Sequence, residues 1–397
     1  MRERLSGSIE TGALSVGRTG ATFFDPTKGF CFGISESLRP GANRLERAIG
    51  IRDTKVMKMH SFLHPMLTLF GIAACLTALR AQAPVDKFLD RWALTIPDGR
   101  AGWLEVSQED GYFDAHLLWG GGSVLPVDSV VFPNKNTLMI TRSKTVERKD
   151  ARGEATRTQR FVETIRATVD GDNMNLTITQ PNHNGRGVQR HEFTGKRIPP
   201  LPPKPDLKKV KFGKPITLFN GTNLDQWRLL NEDDVNGWKV SDGVLVNDPV
   251  QKEGKPRIHY GNIRTKAEFE DFNLKLEVVV PENGNSGIYL RGIYEIQVAA
   301  TYGEPPHSRR MGGIYSRVAP ALSAEKPAGE WQTYDITLVD RHVTVYLNGK
   351  KIHDNVPLAG CTGGALWSDV TRPGPIYLQG DHTQASYKNI VLTPIVK

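Results

Sequence analysis

The chain has 397 residues, of which 39% are hydrophobic and 24% are charged, an ordinary balance for a globular protein long enough for two domains. The net charge of +8 is concentrated near the start, because the first 83 residues hold 11 Lys and Arg against 6 Asp and Glu and leave only +3 for the remainder. No basic run in that remainder alternates with aromatic residues as a nucleic-acid groove would, so the sequence argues against nucleic acid as a partner.

A segment that ends near residue 83 predicts export. Lys55 and Lys58 precede an uncharged run over residues 66–79, and the small residues Ala81-Gln82-Ala83 follow it. This is the layout of a secretory signal peptide, and the apolar run is too short to span a bilayer comfortably. We therefore expect a periplasmic or secreted protein whose mature chain has no transmembrane segment.

The same segment suggests how the start of the chain is organised. We expect residues 1–56 to be a gene-model extension and residues 57–83 to be the signal peptide. Cys75, in the sequence Ile72-Ala73-Ala74-Cys75, offers an alternative in which the protein is a lipoprotein anchored through that cysteine. Removal of residues 1–83 takes away Cys31 and Cys75 and leaves Cys361 as the one cysteine of the mature chain, which predicts no intrachain disulfide.

Residues 84–197 predict a β-rich N-terminal domain. Short alternating runs such as AGWLEV and YFDAHLLW are broken by Gly, Asn and Asp about every ten residues, which is typical of an all-β barrel or small sandwich. No helix follows Gly120-Gly121-Gly122, so this run predicts a hairpin loop rather than a phosphate-binding loop. Six prolines in residues 198–215 predict an extended linker.

Residues 216–397 predict a second all-β domain with longer strands. Asn348-Gly349, between VTVYL and KKIHD, is a strong signal for a tight hairpin turn. We expect two stacked antiparallel sheets, a jelly-roll sandwich, after the smaller antiparallel N-terminal barrel or sandwich. Asp233-Asp234 and Asp369 could supply oxygen ligands to calcium, but no spacing fixes a site, and solvated acids are the preferred interpretation.

The stretch NSGIYLRGIYEIQV, residues 285–298, separates by parity into an apolar and a polar set. Successive side chains of a strand point to opposite faces, so Tyr289, Arg291, Glu295 and Gln297 should share one face. That face is either the floor of a site or a wet surface where Arg291 and Glu295 form an ion pair worth less than about 1 kcal/mol. Pattern alone leaves both alternatives open.

Side chains that are distant in sequence could complete such a site. YLQGDH offers Gln379, His382 and, by alternation, Tyr377. GGIYS offers Tyr315, and GEWQTYD offers Glu330 and Trp331. Carboxylate, amide and imidazole groups bind hydroxyls, and aromatic rings cover the apolar face of a sugar, so a polyhydroxy ligand would suit this set.

Residues 216–394 resemble the 3-keto-disaccharide hydrolase domain family. The pieces that carry the resemblance are LFNGTNLDQW, SDGVL, DFNLKLEV, NSGIYLR, YEIQV, GGIYSRVAP, KPAGEWQTYDITL, VTVYLNG, GPIYLQGDH and YKNIVLTP, in that order. The sequence departs from the family pattern at Thr383 and at Tyr387-Lys388. The resemblance implies a concanavalin-like sandwich with its site on the concave face.

The resemblance also implies cleavage of glycosides whose C3 hydroxyl a partner sugar oxidoreductase has oxidised to a ketone. The ketone acidifies the C2 proton, so a base can form an enolate, the C1 oxygen can leave by β-elimination, and water can then add at C1. A divalent cation such as calcium could share in stabilising the enolate, and nothing in the sequence requires or excludes one. The predicted catalytic residues are Glu295, His382, Arg291 and Gln297, and the predicted substrate-binding residues are Tyr289, Tyr315, Trp331, Gln379, Glu330 and Asp381.

Glu295 and His382 are predicted to act as base and acid, and the sequence does not say which is which. Two other functions stay open. One is a non-catalytic carbohydrate-binding module, in which Glu295→Gln would leave binding nearly intact. The other is an attachment protein, in which deletion of residues 84–200 would abolish function while an enzyme made of the isolated sandwich would still turn over.

Overall fold

The computed structural model describes residues 85–396. The predicted extension, the signal peptide and Cys75 lie outside the described residues. Within them the chain forms 23 strands and one short 3₁₀ helix, Asp86–Phe88. The all-β prediction is therefore confirmed. No helix in residues 85–396 has the length and apolar character needed to cross a membrane.

The first nine strands form one sheet in the order β4-β3-β2-β1-β9-β8-β7-β6-β5. Its strands are β1 (Asp90–Thr95), β2 (Ala101–Glu109), β3 (Tyr112–Trp119), β4 (Val124–Pro126), β5 (Ser129–Asn134), β6 (Thr137–Lys149), β7 (Ala155–Asp170), β8 (Asn173–Pro181) and β9 (Val188–Arg197).

This N-terminal sheet curls around a single core. Trp92 and Leu104 from β1 and β2 pack in the same buried cluster as Ile140 and Ile165 from β6 and β7. The two-residue connection between β4 and β5 bridges the two ends, because the backbone of Val127–Asp128 donates to Ala115 on β3 and to Thr141 on β6. The domain is therefore barrel-like, which fits one of the two predicted forms.

Residues 147–159, which include the adjoining ends of β6 and β7, form a compact unit apart from residues 85–146 and 160–396. In that small unit the guanidinium of Arg148 donates to Gln159 Oε1 at 2.8 Å. The larger unit holds the rest of the N-terminal domain and the whole C-terminal domain.

The remaining fourteen strands form the C-terminal domain. They are β10 (Lys211–Phe212), β11 (Ile216–Phe219), β12 (Trp227–Leu229), β13 (Trp238–Ser241), β14 (Val244–Asn247), β15 (Ile263–Thr265), β16 (Phe272–Val279), β17 (Asn285–Leu290), β18 (Tyr294–Ala299), β19 (Gln332–Val339), β20 (His342–Leu347), β21 (Lys350–Pro357), β22 (Tyr377–Leu378) and β23 (Ala385–Val396).

These strands build two sheets around one apolar core. One sheet follows the order β13-β14-β23-β16-β19-β20-β21, with β10 and β11 also paired to β23, and the other follows β12-β15-β22-β17-β18. Leu274 and Ile336 of the larger sheet meet Ile288 and Ile296 of the smaller sheet in the buried cluster between them. The predicted jelly-roll sandwich is confirmed.

Two local predictions show how sequence determines these elements. Asn348 and Gly349, with φ of 51° and 77°, join β20 to β21 as a turn with left-handed residues at both centres. The proline-rich segment 198–215 turns at Asp206–Lys209 and is held by the sandwich, because Arg341 donates to the Pro199 carbonyl at 2.8 Å and β10 within the segment pairs with β23.

Candidate active site

A pocket of about 190 Å³ lies beside β17 and β18 of the smaller sheet. It is smaller than the roughly 300–1,000 Å³ of sites for drug-sized ligands, which suits a small ligand such as one sugar ring. Seven of the ten predicted site residues line it. The lining residues are Gly121, Asn262, Asn285, Tyr289, Glu295, Gln297, Tyr315, Gly363, Gly364, Tyr377, Gln379, Asp381 and His382.

The antiparallel pair β17–β18 positions the polar floor of this pocket. Tyr289 pairs across the strands with Glu295, and Gly287 pairs with Gln297. Ile288 and Ile296, of the opposite parity, point into the core. The polar face is not a wet surface, because Glu295 is only 3% exposed and Gln297 only 4%.

Glu295 is a buried carboxyl with a strongly shifted pKa. Loss of hydration on burial raises its pKa from 4.5 to about 8, the neighbouring Tyr289 hydroxyl acts in the opposite direction, and the charge of Asp381 raises it further. The carboxyl lies over Gly287, where an added Cβ would overlap Oε1. Thr362 Oγ1 accepts a hydrogen bond from the Glu295 backbone N–H at 2.9 Å and fixes that part of β18.

Two stacked tyrosines form the next part of the floor. The rings of Tyr289 and Tyr377 lie 3.8 Å apart at 12°, and both side chains are buried. The Tyr289 hydroxyl donates to the Gly363 carbonyl at 2.8 Å, and the Tyr377 hydroxyl donates to the Gly364 carbonyl at 3.0 Å. Burial raises the pKa of each phenol well above its ordinary value, so both hydroxyls stay protonated.

Asp381 and His382 form a pair at the rim. His382 Nδ1 lies 2.7 Å from Asp381 Oδ1, and about 41% of each side chain is exposed. The strand β22 ends at Leu378, so both residues belong to a loop rather than to the predicted strand. Thr383, a departure from the family pattern, holds this loop, because its hydroxyl donates to the Asn285 carbonyl at 3.0 Å.

The pocket lining has four side-chain amides, Asn262, Asn285, Gln297 and Gln379. Gln297 Nε2 donates to Asn285 Oδ1 at 2.9 Å, whereas the buried Gln297 Oε1 has no hydrogen-bond partner. Asn262 Oδ1 accepts from the Gly380 N–H at 2.7 Å. Among the described residues, no acceptor takes a hydrogen bond from the NH₂ group of Asn262 or Asn285. Both NH₂ groups can therefore donate to a ligand, and Gln297 Oε1 can accept from one.

Arg291 does not reach the pocket. It follows the end of β17 with a φ of 54°, and this turn breaks the alternation on which the prediction rested. Its guanidinium is buried and donates to the backbone carbonyls of Val370, at 3.0 Å, and Arg372. The predicted catalytic role of Arg291 is therefore replaced by a role in holding the loop that contains those two residues.

Glu330 and Trp331 also lie elsewhere. They precede β19, which belongs to the larger sheet, whereas the pocket lies on the smaller one. Glu330 is exposed, and the Trp331 ring is covered by the ammonium of Lys388 at 4.1 Å. The residues around Glu330 and Trp331 in the sequence do not indicate which sheet β19 joins.

The described residues contain no group of three or more His, Cys, Asp or Glu side chains arranged to hold a metal ion. Asp233 is exposed, whereas Asp234 is half-buried and accepts a hydrogen bond from Asn231 Nδ2 at 3.1 Å. Asp369 accepts hydrogen bonds from the Thr371 backbone and hydroxyl. The pKa of Asp369 is lowered, because these hydrogen bonds outweigh the effect of its partial burial.

Comparison with known proteins gives the family. Residues 214–393 match the model of the 3-keto-alpha-glucoside-1,2-lyase-like domain. These residues belong to that family. The match identifies the protein as a carbohydrate-active enzyme. No curated protein matches the chain significantly.

Solved structures also resemble the lyase-like domain. A protein of Parabacteroides distasonis, provisionally described as a glycosyl hydrolase, is 31% identical over 50% of this chain and 93% of its own, with a TM-score of 0.38. A second such protein from that organism is 27% identical over 45% and 98%, with a TM-score of 0.33. The carbohydrate-binding module CBM66 of Bacillus subtilis is 14% identical over 42% and 93%, with a TM-score of 0.27.

Five residues that line the pocket were not predicted from sequence. Asn285 opens the motif NSGIYLR and could have been found there, since its side chain lies on the same parity as Tyr289. Asn262, Gly363 and Gly364 come from irregular segments without periodicity, and Gly121 comes from the N-terminal domain. Only the folded chain brings these four to the pocket.

Proposed function

We propose that the pocket cleaves 3-keto-glycosides by β-elimination, with or without later addition of water at C1. The observation that carries this proposal is the Glu295 carboxyl, buried with a pKa of about 8 in the same pocket as the Asp381–His382 pair. Such a site has an acid that is protonated at neutral pH and a separate group able to take a proton.

His382 is the base in this mechanism. A proton on Nδ1 donated to Asp381 leaves the Nε2 lone pair available, which is the arrangement of a carboxylate-oriented histidine base. His382 removes the C2 proton, and the electron pair of the C2–H bond forms the enolate with the C3 ketone. Asn262 and Asn285 can donate hydrogen bonds to the enolate oxygen through their NH₂ groups.

Glu295 is the acid. As the enolate collapses, a double bond forms between C1 and C2, the C3 ketone is restored and the bond from C1 to the aglycone oxygen breaks. The proton of Glu295 goes to that oxygen, so the aglycone leaves as a neutral alcohol. Water then either adds across C1 and C2, giving net hydrolysis, or the unsaturated product is released. Solvent returns the proton from His382 to Glu295.

The other lining groups bind the sugar. Gln297 Oε1 is a buried acceptor without a partner, so a ligand hydroxyl donating to it would remove the cost of leaving it unpaired. The stacked Tyr289 and Tyr377 are buried, and their hydroxyls bond the Gly363 and Gly364 carbonyls, so they keep the floor of the pocket rigid beneath the sugar. These groups orient the C2–H bond and the C1–O bond toward the base and the acid.

The test compares a 4-nitrophenyl glucoside with its 3-keto derivative. The proposal predicts nitrophenol release from the keto form only, with kcat reduced about 10²–10⁴-fold by Glu295→Gln and by His382→Ala. The matched controls are Glu330→Gln and His307→Ala, which change an exposed carboxylate and an exposed imidazole outside the pocket.

Equal release from the non-oxidised glucoside would contradict the requirement for the ketone. No release from either form, combined with sugar binding that survives Glu295→Gln, would instead establish the carbohydrate-binding module. Export is also part of the proposal, and so is a partner sugar oxidoreductase that supplies the ketone. The oxidoreductase is needed because the alcohol at C3 must be oxidised before the C2 proton becomes acidic enough to remove.

A further inference from the structure

The pocket has one wall that the C-terminal domain does not supply. Gly121 lies in the turn between β3 and β4 of the N-terminal domain and lines the same pocket as Glu295 and His382. The turn is the hairpin loop that the Gly120-Gly121-Gly122 run predicted. Residues 120–122 and the C-terminal domain belong to one compact unit.

The segment 359–364 joins this turn to the catalytic floor. Its Gly363 is packed so closely against the Gly122 carbonyl that an added Cβ would overlap the carbonyl oxygen. The carbonyls of Gly363 and Gly364 are also the acceptors of the Tyr289 and Tyr377 hydroxyls. The N-terminal turn thus packs directly against Gly363, one of the two residues whose carbonyls hold the stacked tyrosines.

The indole of Trp103, on β2, holds the other end of this segment. Trp103 Nε1 donates to the Ala359 carbonyl at 3.3 Å, and an added Cβ on Gly360 would overlap the indole. The guanidinium of Arg317 stacks on the Trp103 ring at 4.0 Å and donates to the Cys361 carbonyl at 3.0 Å. The position of residues 359–364 is therefore determined from both domains.

A second contact fixes the β3–β4 turn itself. The backbone N–H of Val124, at the start of β4, donates to Ser316 Oγ at 3.0 Å. Ser316 directly follows Tyr315, which lines the pocket. The turn is consequently attached to the C-terminal domain at two points that follow Gly121, namely Gly122 and Val124.

We propose that the N-terminal domain is a working part of the site and that Gly121 determines how large a group the pocket accepts. A Cβ at Gly121 meets no atom within 4 Å, and Gly121 is not among the glycines with a left-handed φ. A side chain can therefore be accommodated there without backbone strain, and it would occupy space over the pocket that glycine leaves open. The ligand class rests on the proposed function: the group in that space is part of a 3-keto-glycoside, either the keto sugar or its aglycone.

This inference changes what a domain deletion can show. Removing residues 84–200 removes Gly121 and Trp103 together, so the isolated sandwich would lose one wall of the pocket and one support of residues 359–364. Loss of activity on deletion would accordingly not distinguish an attachment protein from an enzyme. Single substitutions in the full chain are the sharper test.

The experiment uses the series Gly121→Ala, Gly121→Val and Gly121→Trp in the full chain, with Leu125→Trp as control. Leu125 lies on β4 of the same hairpin, is 58% exposed and does not line the pocket. Two readouts are taken for each variant: kcat and KM on the 3-keto 4-nitrophenyl glycoside, and calorimetric binding of free 3-ketoglucose.

We expect KM to rise with the size of the side chain at position 121, by tenfold or more for Gly121→Trp, which corresponds to about 1.4 kcal/mol of binding. The control Leu125→Trp should stay within twofold, and the melting temperatures of all variants should stay close to that of the wild type. Unchanged kinetics and binding across the series would overturn the proposal.

The two readouts separate this inference from the proposed function. Suppose that the wild type releases no nitrophenol but binds 3-ketoglucose, and that Gly121→Trp weakens this binding while Leu125→Trp does not. The elimination mechanism then fails, and the role of Gly121 as a wall of the pocket is supported. If the wild type cleaves the keto substrate and Gly121→Trp does so equally well, the mechanism is supported and the wall is contradicted. If the wild type neither binds nor cleaves, both fail.

Discussion

Replacement of Glu295 by Gln should make the protein more stable at alkaline pH than the wild type. The folded-state pKa of Glu295 is about 8 against an ordinary value of 4.5 in an unfolded chain. A carboxyl whose pKa is raised by folding stabilises the folded state fully below the unfolded value and loses that contribution as the pH rises through the folded value. The affected window therefore runs from about pH 4.5 to about pH 8.

The magnitude follows from the difference between the two pKa values. They differ by about 3.5, and each unit corresponds to about 1.4 kcal/mol, so ionising Glu295 in the folded protein costs up to about 5 kcal/mol. The substituted glutamine would keep the shape of the protonated acid and never ionise. The variant should resemble the wild type at pH 5 and exceed its stability by up to about 5 kcal/mol at pH 9, or about 10 °C in melting temperature.

The assay is thermal unfolding of both proteins between pH 5 and pH 9, followed by circular dichroism. Glu330→Gln is the control, because that exposed side chain should change stability by no more than about 0.5 kcal/mol at any pH. A melting-temperature difference between Glu295→Gln and the wild type that is constant over the whole pH range would refute the reasoning. It would mean that Glu295 is not a buried, protonated acid.

Three other substitutions or measurements test the neighbourhood of Glu295. Gly287→Ala should displace the Glu295 carboxyl, since the added methyl group overlaps it, and should lower kcat at least tenfold in the nitrophenol assay; wild-type kcat would contradict the placement. The Tyr289 hydroxyl donates to the Gly363 carbonyl and lowers the pKa of Glu295, so its removal in Tyr289→Phe should raise that pKa. The alkaline limb of the pH–rate profile should then move to higher pH, and an unmoved limb would exclude an effect of Tyr289 on Glu295. Burial raises the pKa of the Cys361 thiol to about 11, so we expect no reaction with iodoacetamide at pH 8 until the protein is unfolded; rapid labelling of the native protein would show that the interface around Cys361 opens.

The sandwich could be predicted because its determinants are local. Alternation of apolar residues identifies the strands, and Asn348-Gly349 specifies a tight turn whatever the rest of the chain does. Parity also placed Glu295 and Gln297 on the correct face, because both lie inside the regular strand β18. These inferences need only the residues within one or two strands.

The site could be predicted only in part because its other determinants are not local. Parity failed at Arg291, one residue past the end of β17, where the backbone turns to a φ of 54°. Trp331 looked suitable by residue type, but sheet membership of β19 decides its position. Nothing in the sequence near Gly121 indicates that a hairpin of one domain would reach a pocket of the other.

The most direct test of the central claim is a kinetic isotope experiment on a 3-keto-glycoside that carries deuterium at C2. The account predicts a primary isotope effect on kcat/KM and loss of the deuterium to solvent, because His382 must break the C2–H bond before the C1–O bond can break. Release of the aglycone with no primary isotope effect and with the deuterium retained at C2 would contradict it.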